Sequence, residues 1–222
     1  MKMTKKKVFV AALAVCLIAI LSMGTLAWFN ANDSITNNFM IADSDGDGTP
    51  DFSVDVWEQD PENPTDDNGN VIKDQDGVVY EEIAPGDVLA KNPTVENTGD
   101  YDQWIRVYVT FDEWAKLEAA CDNQGISSDL RGWLNVDSTA WLSVDDIKEE
   151  NDSITYVYYY NYKLAKDQTA VLFTNITIPG EFEQADMAFA NGDFNVTIKA
   201  EALQADNTGD NAFAAFGTYW GR

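Results

Sequence analysis

The stretch DSDGDGTPD, Asp43 to Asp51, gathers oxygen donors at a spacing that suits a hard divalent cation. Such an ion needs several oxygens within a small radius. Asp43, Asp45 and Asp47 alternate, Gly48 lets the chain turn sharply, Thr49 offers a backbone carbonyl, and Asp51 holds the ninth position of an EF-hand-like loop. The twelfth position is Val54, where an EF-hand has a bidentate Glu, so the match is to the broader DxDxDG calcium loop of thrombospondin type 3-like repeats. Asp55, or an acid from the loop after it, would complete the shell. The pattern predicts calcium, held in the weak extracellular range of about 10⁻⁴–10⁻³ M. The competing reading of the same residues is a solvated acidic turn between two strands.

Acid–base and nucleophilic chemistry find less support. The chain has no His, which removes the usual general base, the Ser-His and Cys-His pairs and the HExxH zinc site. With 38 acidic residues, adjacency of two carboxylates carries almost no information about a catalytic pair. Cys121 has no basic neighbour in sequence and reads as a buried small apolar group. There is no phosphate-binding glycine loop.

The amino terminus sets the compartment. From Val8 to Phe29 no residue is charged, and Lys2, Lys5, Lys6 and Lys7 precede the run, so the first residues are expected to stay cytoplasmic and the remainder to be exported. Gly24 interrupts the apolar run, and Thr25 and Ala27 place small side chains at −3 and −1 of a cut before Trp28. The expectation is a signal peptide over 1–27; the alternative is an uncut type II anchor with Trp28 and Phe29 at the interface. Cleavage would take four lysines and move the net charge from −24 to −28, a surface that repels nucleic acid and anionic lipid. Expected partners are cations, basic surfaces or further copies of the chain. Cys121 would then be the sole thiol, and export without a disulfide suits a Gram-positive surface. The four Asn-x-Ser/Thr triplets, at Asn32, Asn151, Asn175 and Asn195, read as chance.

The segment 28–222 reads as one β-rich domain, since short stretches of period-two alternation are separated by Gly, Pro, Asn and Asp. In WIRVYVTF, Ile105, Val107, Val109 and Phe111 share one face, while Trp104, Arg106, Tyr108 and Thr110 share the other. Phe194, Val196, Ile198, Ala200 and Ala202 repeat the pattern. Ser153–Lys163 and Ala170–Pro179 add two strands, the first aromatic on both faces and so expected to be covered on both. FDEWAKLEAACD predicts a helix capped by Asp112 with Trp114, Leu117 and Ala120 or Cys121 inward, and NAFAAFGTYWG predicts a shorter one. The acidic stretch 58–77 is expected to be an inserted loop too polar to bury, with turns at Asn68-Gly69 and Asp76-Gly77. The predicted class is all-β, an antiparallel jelly-roll-type β-sandwich with one or two short inserted helices.

Several segments together resemble one family. The leader KKKVFVAALAVCLIAILSMGTLAWFN resembles the signal peptides handled by SipW, the dedicated signal peptidase of Gram-positive biofilm operons. IAPGDVLAKNPTVENTGDYDQWIRVYVTF, LFTNITIP and VTIKAEALQADN resemble segments of the TasA and camelysin family, covering the leader and about half of the rest. The resemblance implies a jelly-roll sandwich exported to the cell surface or biofilm matrix, where TasA-like members polymerise into fibres. It also implies that the mature amino terminus is donated as a strand to the next subunit. In this chain that segment is WFNANDSITNNFMI, 28–41, in which Phe29, Ala31, Ile35, Phe39 and Ile41 alternate onto one face together with Asp33 and Asn37. Camelysin-like members have been grouped with metalloproteases, and the lack of His departs from any ordinary zinc protease pattern.

Three functions follow as expectations. The first is a matrix fibre subunit that self-associates after the signal peptidase acts and meets other matrix or cell-wall components. The second is a monomeric calcium-stabilised adhesin that binds through exposed aromatics such as Trp133 or Trp141. The third and least supported is a carboxylate-dependent hydrolase or camelysin-like metallopeptidase.

Overall fold

The computed structural model describes residues 53–59, 64–66, 68–74, 80, 83–190, 194–206 and 208–219. The strands are β1 (Val54–Gln59), β2 (Lys73–Asp74), β3 (Val88–Ala90), β4 (Thr94–Asn97), β5 (Gln103–Phe111), β6 (Trp141–Glu150), β7 (Ser153–Tyr160), β8 (Thr169–Val171), β9 (Asn175–Thr177) and β10 (Val196–Gln204). Helices α1 (Trp114–Gln124) and α2 (Ala212–Tyr219) complete the set, with 3-10 turns at Leu130–Trp133 and Asp186–Ala190. All described pairings are antiparallel: one sheet in the order β2-β1-β4-β8, a second in the order β10-β5-β7-β6, and a small β3-β9 ribbon. Among the described residues the chain is thus mostly antiparallel sheet with two helices, as its alternating stretches predict.

Period two explains why β5 becomes the central strand of its sheet. Ile105, Val107, Val109 and Phe111 are all fully buried on one face, where they meet Val54, Val95 and Ala170 from the other four-stranded sheet. Each such side chain is worth about 1.5–3 kcal/mol of transfer free energy. On the opposite face Trp104 joins Val157 and Tyr159 of β7 beneath Ala212, Ala215 and Phe216 of α2, forming a second cluster. The two-sided aromatic content of β7 therefore has the predicted cause. Ile154, Tyr156 and Tyr158 face the main core, and Val157 and Tyr159 face α2.

The α1 helix buries Trp114, Leu117, Ala120 and Cys121, as helical spacing predicts. Its start is not the predicted one. Asp112 instead accepts from the backbone and side-chain nitrogens of Asn195 at 2.7 and 2.9 Å, and Glu113 takes the left-handed conformation before the first turn. The exposed helix N–H groups are met from the β6–β7 turn. Asp152 accepts from Trp114 N through its carbonyl at 3.0 Å and from Ala115 N through Oδ1 at 2.7 Å.

Two further expectations are corrected. Ala170–Pro179 is not one strand, because Asn135 Oδ1 captures the N–H groups of Thr174 and Asn175 at 2.8 and 2.9 Å; β8 then pairs with β4, and β9 with β3. Nor is 58–77 wholly a solvated insertion. Glu58 lies in β1, 6% exposed, with Oε1 2.5 Å from the equally buried Lys91 ammonium, and β2 pairs with Glu58 and Gln59. The predicted Asn68-Gly69 turn is present: Asp66 Oδ1 accepts from Asn68 N and Asn70 N, and Gly69 supplies a φ of +83°. Asp76-Gly77 lies outside the described residues.

Removing one partner of a buried ion pair strands the other charge in low dielectric. Lys91→Met is accordingly expected to lower unfolding free energy by about 3–5 kcal/mol in urea titrations, and Lys91→Met with Glu58→Leu to recover most of the loss.

Candidate functional site at the open edge of β6

Among the described residues β6 ends its sheet, with β7 on one side and no strand on the other. The opposite edge of the same sheet, β10, lies against β1. An unpaired edge exposes a row of N–H and C=O groups that a further strand can satisfy. β6 divides into two halves by composition. Between Val144 and Lys148 the register with β7 slips, and the strand continues through Lys148, Glu149 and Glu150; bulges and charges of this kind blunt an edge. Trp141–Val144 carries no charge and pairs regularly with 157–160.

The uncharged half borders a hollow of about 340 Å³, walled by Leu134, Val136, Trp141 and Leu142 and by the polar groups of Arg131, Ser138, Ser143 and Tyr158. Local structure fixes each wall. Gly125 ends α1 in the left-handed conformation, and the chain then enters the Leu130–Trp133 turn, where Asp129 accepts from Arg131 N at 3.1 Å. The Asp129 carboxylate also holds the guanidinium, with Nε to Oδ1 at 2.8 Å and Nη2 to Oδ2 at 2.7 Å. Arg131 is thereby presented to β6, where Nη1 donates to Ser143 Oγ at 3.1 Å. Tyr156 Oη accepts from Leu130 N at 3.0 Å and anchors the turn to β7; burial pushes the Tyr156 phenol up to about 12.

Trp141 is locked as a wall: its Nε1 donates to Val171 O at 2.8 Å and its ring packs 4.9 Å from that of Tyr160. Tyr158, 2% exposed, lines the same hollow, its hydroxyl bonds to no described group, and burial raises its pKa. On the outer face of the sheet Leu142 and Phe213 remain 41% and 50% exposed, Leu142 directly across from Tyr159 and Phe213 edge-on to the Tyr159 ring. Trp141 N already donates to Asp137 O at 2.9 Å, so an extended segment added here would meet backbone partners along the edge beyond that group, an apolar hollow with hydrogen-bonding groups on one side, and an apolar ledge on the other.

The expected aromatic contact points are corrected by this geometry. Trp133 is 6% and Trp141 2% exposed, the first packed on Phe182 and Phe189 and the second on Tyr160, so neither is the exposed aromatic expected, and Trp141 serves only as part of the wall of the hollow. The candidate calcium residues Asp43, Asp45, Asp47, Thr49 and Asp51 lie outside the described residues. So do the cleavage residues Thr25, Ala27 and Trp28, and the donor residues Phe29, Ala31, Ile35, Phe39 and Ile41. Among the described residues no group of three or more acidic or Cys side chains converges on a metal-sized site, and no helix is long and apolar enough to cross a membrane. Cys121 is fully buried, and desolvation raises its thiol pKa, in keeping with an inert packing role.

Sequence reasoning did not pick out β6, Arg131, Ser143 or Tyr158. The alternation of Trp141 and Ser143 against Leu142 and Val144 is a strand signal only four residues long, and the DDIKEE that follows obscures it. In comparison with known proteins, no family model matches the chain, and no curated protein or solved structure matches it.

The Asp129–Arg131 clamp has a pH signature. Its hydrogen bonds to Arg131 hold the Asp129 carboxyl below the ordinary aspartate value of about 4. A depressed folded pKa gives stability that is present above the unfolded value and lost as pH falls through the folded one. The stability difference between the native chain and Asp129→Asn is therefore expected to be full at pH 6 and to shrink below pH ~4, as read from thermal melts across that range.

Proposed function

We propose that this chain is a secreted or cell-surface structural protein, a subunit of a biofilm-matrix fibre. In this reading it assembles once a signal peptidase has removed 1–27. The segment 28–41 of one copy then adds as a strand to the uncharged half of β6 in the next. The observation that carries the reading is the open Trp141–Val144 edge, flanked by the hollow on one face and by Leu142 and Phe213 on the other. An edge of this kind is an association hazard unless it has a partner. A head-to-tail contact leaves the acceptor of each new copy open and so propagates, as a fibre requires.

The sequence resemblance to TasA and camelysin supports the same reading, with the two four-stranded sheets forming a jelly roll. Calcium on Asp43, Asp45, Asp47, Thr49 and Asp51 would rigidify the chain just after the donated strand, and it is expected to raise the melting temperature of purified protein. Trp133 and Trp141 are buried, so a monomeric adhesin would bind through other exposed aromatics such as Tyr162 or Tyr101.

Protein beginning at Trp28 is expected to form filaments visible by negative-stain microscopy, and deletion of 28–38 to leave monomers. Leu142→Lys, a change at a side chain already 41% exposed, is expected to abolish filaments with little shift in melting temperature. Filaments that persist in both variants would refute strand donation to β6.

A further inference from the structure

The chain carries 14 basic against 38 acidic residues, so any association of two copies works against mutual repulsion. Where positive charge collects on such a surface is therefore informative. Among the described residues Lys73, Lys91, Lys116, Arg131, Lys163 and Lys166 each have a carboxylate of their own within ion-pair distance. The outer face of the β10-β5-β7-β6 sheet departs from this one-to-one pattern. There Arg106 and Lys199 share a single carboxylate, Glu201, at 2.5 and 3.1 Å, and Tyr108 Oη also donates to it at 3.0 Å. Lys148 makes no ion pair among the described residues, although Glu150 lies two positions along the same strand face. Its ammonium sits 5.9 Å from the centre of the Tyr108 ring, with Lys199 Nζ at 5.5 Å and Arg106 Cζ at 5.1 Å.

Three cations thus converge on one tyrosine, and among the described residues Glu201 is the carboxylate bonded to two of them. The two lysines belong to strands at opposite edges of the sheet, about 14 Å apart at the usual strand spacing, and both lean inward over Tyr108. Cation–π attraction accounts for the lean and keeps the positive charge concentrated. Below them Thr110 and Thr155 pair through their hydroxyls at 2.8 Å, and Lys148 stands directly across from Thr155. The result is a cationic, hydroxyl-bearing floor open to solvent, with Lys148 exposed and Lys199 37% exposed.

We infer that this floor receives the acidic stretch Asp43–Asp51 of a second copy of the chain. The inference rests on the self-assembly reading and adds a second contact to it. Charge complementarity selects the occupant, since that stretch, when calcium does not hold it, offers four aspartates within nine residues directly after the donor segment 28–41, so that calcium and the floor compete for the same carboxylates. Tethering by the donated strand raises its local concentration on the neighbour. A free polyanion has no such tether, and it would approach against the net charge of the whole molecule. The contact converts part of the inter-subunit repulsion into attraction, and its range is short, about 8 Å at physiological salt.

Equal amounts of ¹⁵N-labelled and unlabelled protein beginning at Trp28 would be mixed under assembly conditions, treated with a zero-length carbodiimide and digested for mass spectrometry. Mixed-isotope amide links from Lys148 or Lys199 to Asp43, Asp45, Asp47 or Asp51 are the expected result. Lys148→Gln with Lys199→Gln is expected to leave the melting temperature near that of the parent and to raise the concentration needed for association by roughly two- to twenty-fold. Links from these lysines that stay within one copy, join other carboxylates or fail to form would overturn the inference. So would polyphosphate binding that the double variant abolishes while copy-to-copy links remain unchanged. Filaments without these links would leave strand donation standing and remove the acidic contact; links without filaments would do the reverse.

Discussion

The whole arrangement depends on β5 being buried along its inner face and, at the Trp104–Arg106 end, on its outer face as well. A strand covered on one side only would need a solvated outer face, but Trp104, Arg106 and Tyr108 sit on the outer side of a strand whose inner side is already fully buried. The α2 helix resolves the conflict for Trp104, and Phe216 lies 4.3 Å beneath the Arg106 guanidinium. Glu201, across from Arg106 on β10, then neutralises the charge that burial would otherwise penalise. Burial alone would raise the Glu201 pKa, yet its bonds to Arg106 and Lys199 lower it overall, so the carboxylate stays ionised beside them.

From that constraint the placement of both proposed contact regions follows. With β10 and β7 flanking β5, β6 is left as the edge strand, and the 125–140 connection folds back over the main core to form the hollow beside it. Because α2 covers only the Trp104 and Tyr159 end of the outer face, the Tyr108 and Thr110 rows stay accessible, and the lysines gather there. The uncharged edge and the cationic floor are thus two consequences of one partial covering.

A chain this acidic also has to hold its sheets together against its own charge. It does so by pairing scarce cations individually, often across strands, as Lys73 does with Glu96 and Lys91 with Glu58. Buried polar groups of this type set register as much as they add stability, because a slip of one residue would separate the partners and invert the faces.

Periodicity alone determined β5, β7, β10, both helices and the buried face of α1, because in each the apolar spacing is long enough to be unambiguous. The absence of His likewise removes His-based chemistry, and the apolar leader supports no more than an expectation of export. Only tertiary structure decided the rest. It split Ala170–Pro179, where a single distant Asn135 captures two N–H groups, and it replaced the local Asp112 cap by Asp152 from another turn. It buried Glu58 inside a stretch whose composition reads as solvent, and it turned Trp133 and Trp141 inward. Except at Trp141, whose partners Tyr160 and Val171 stand 19 and 30 residues on, the deciding partner lies more than thirty residues away in sequence, and a local pattern holds no information about a contact made at that distance.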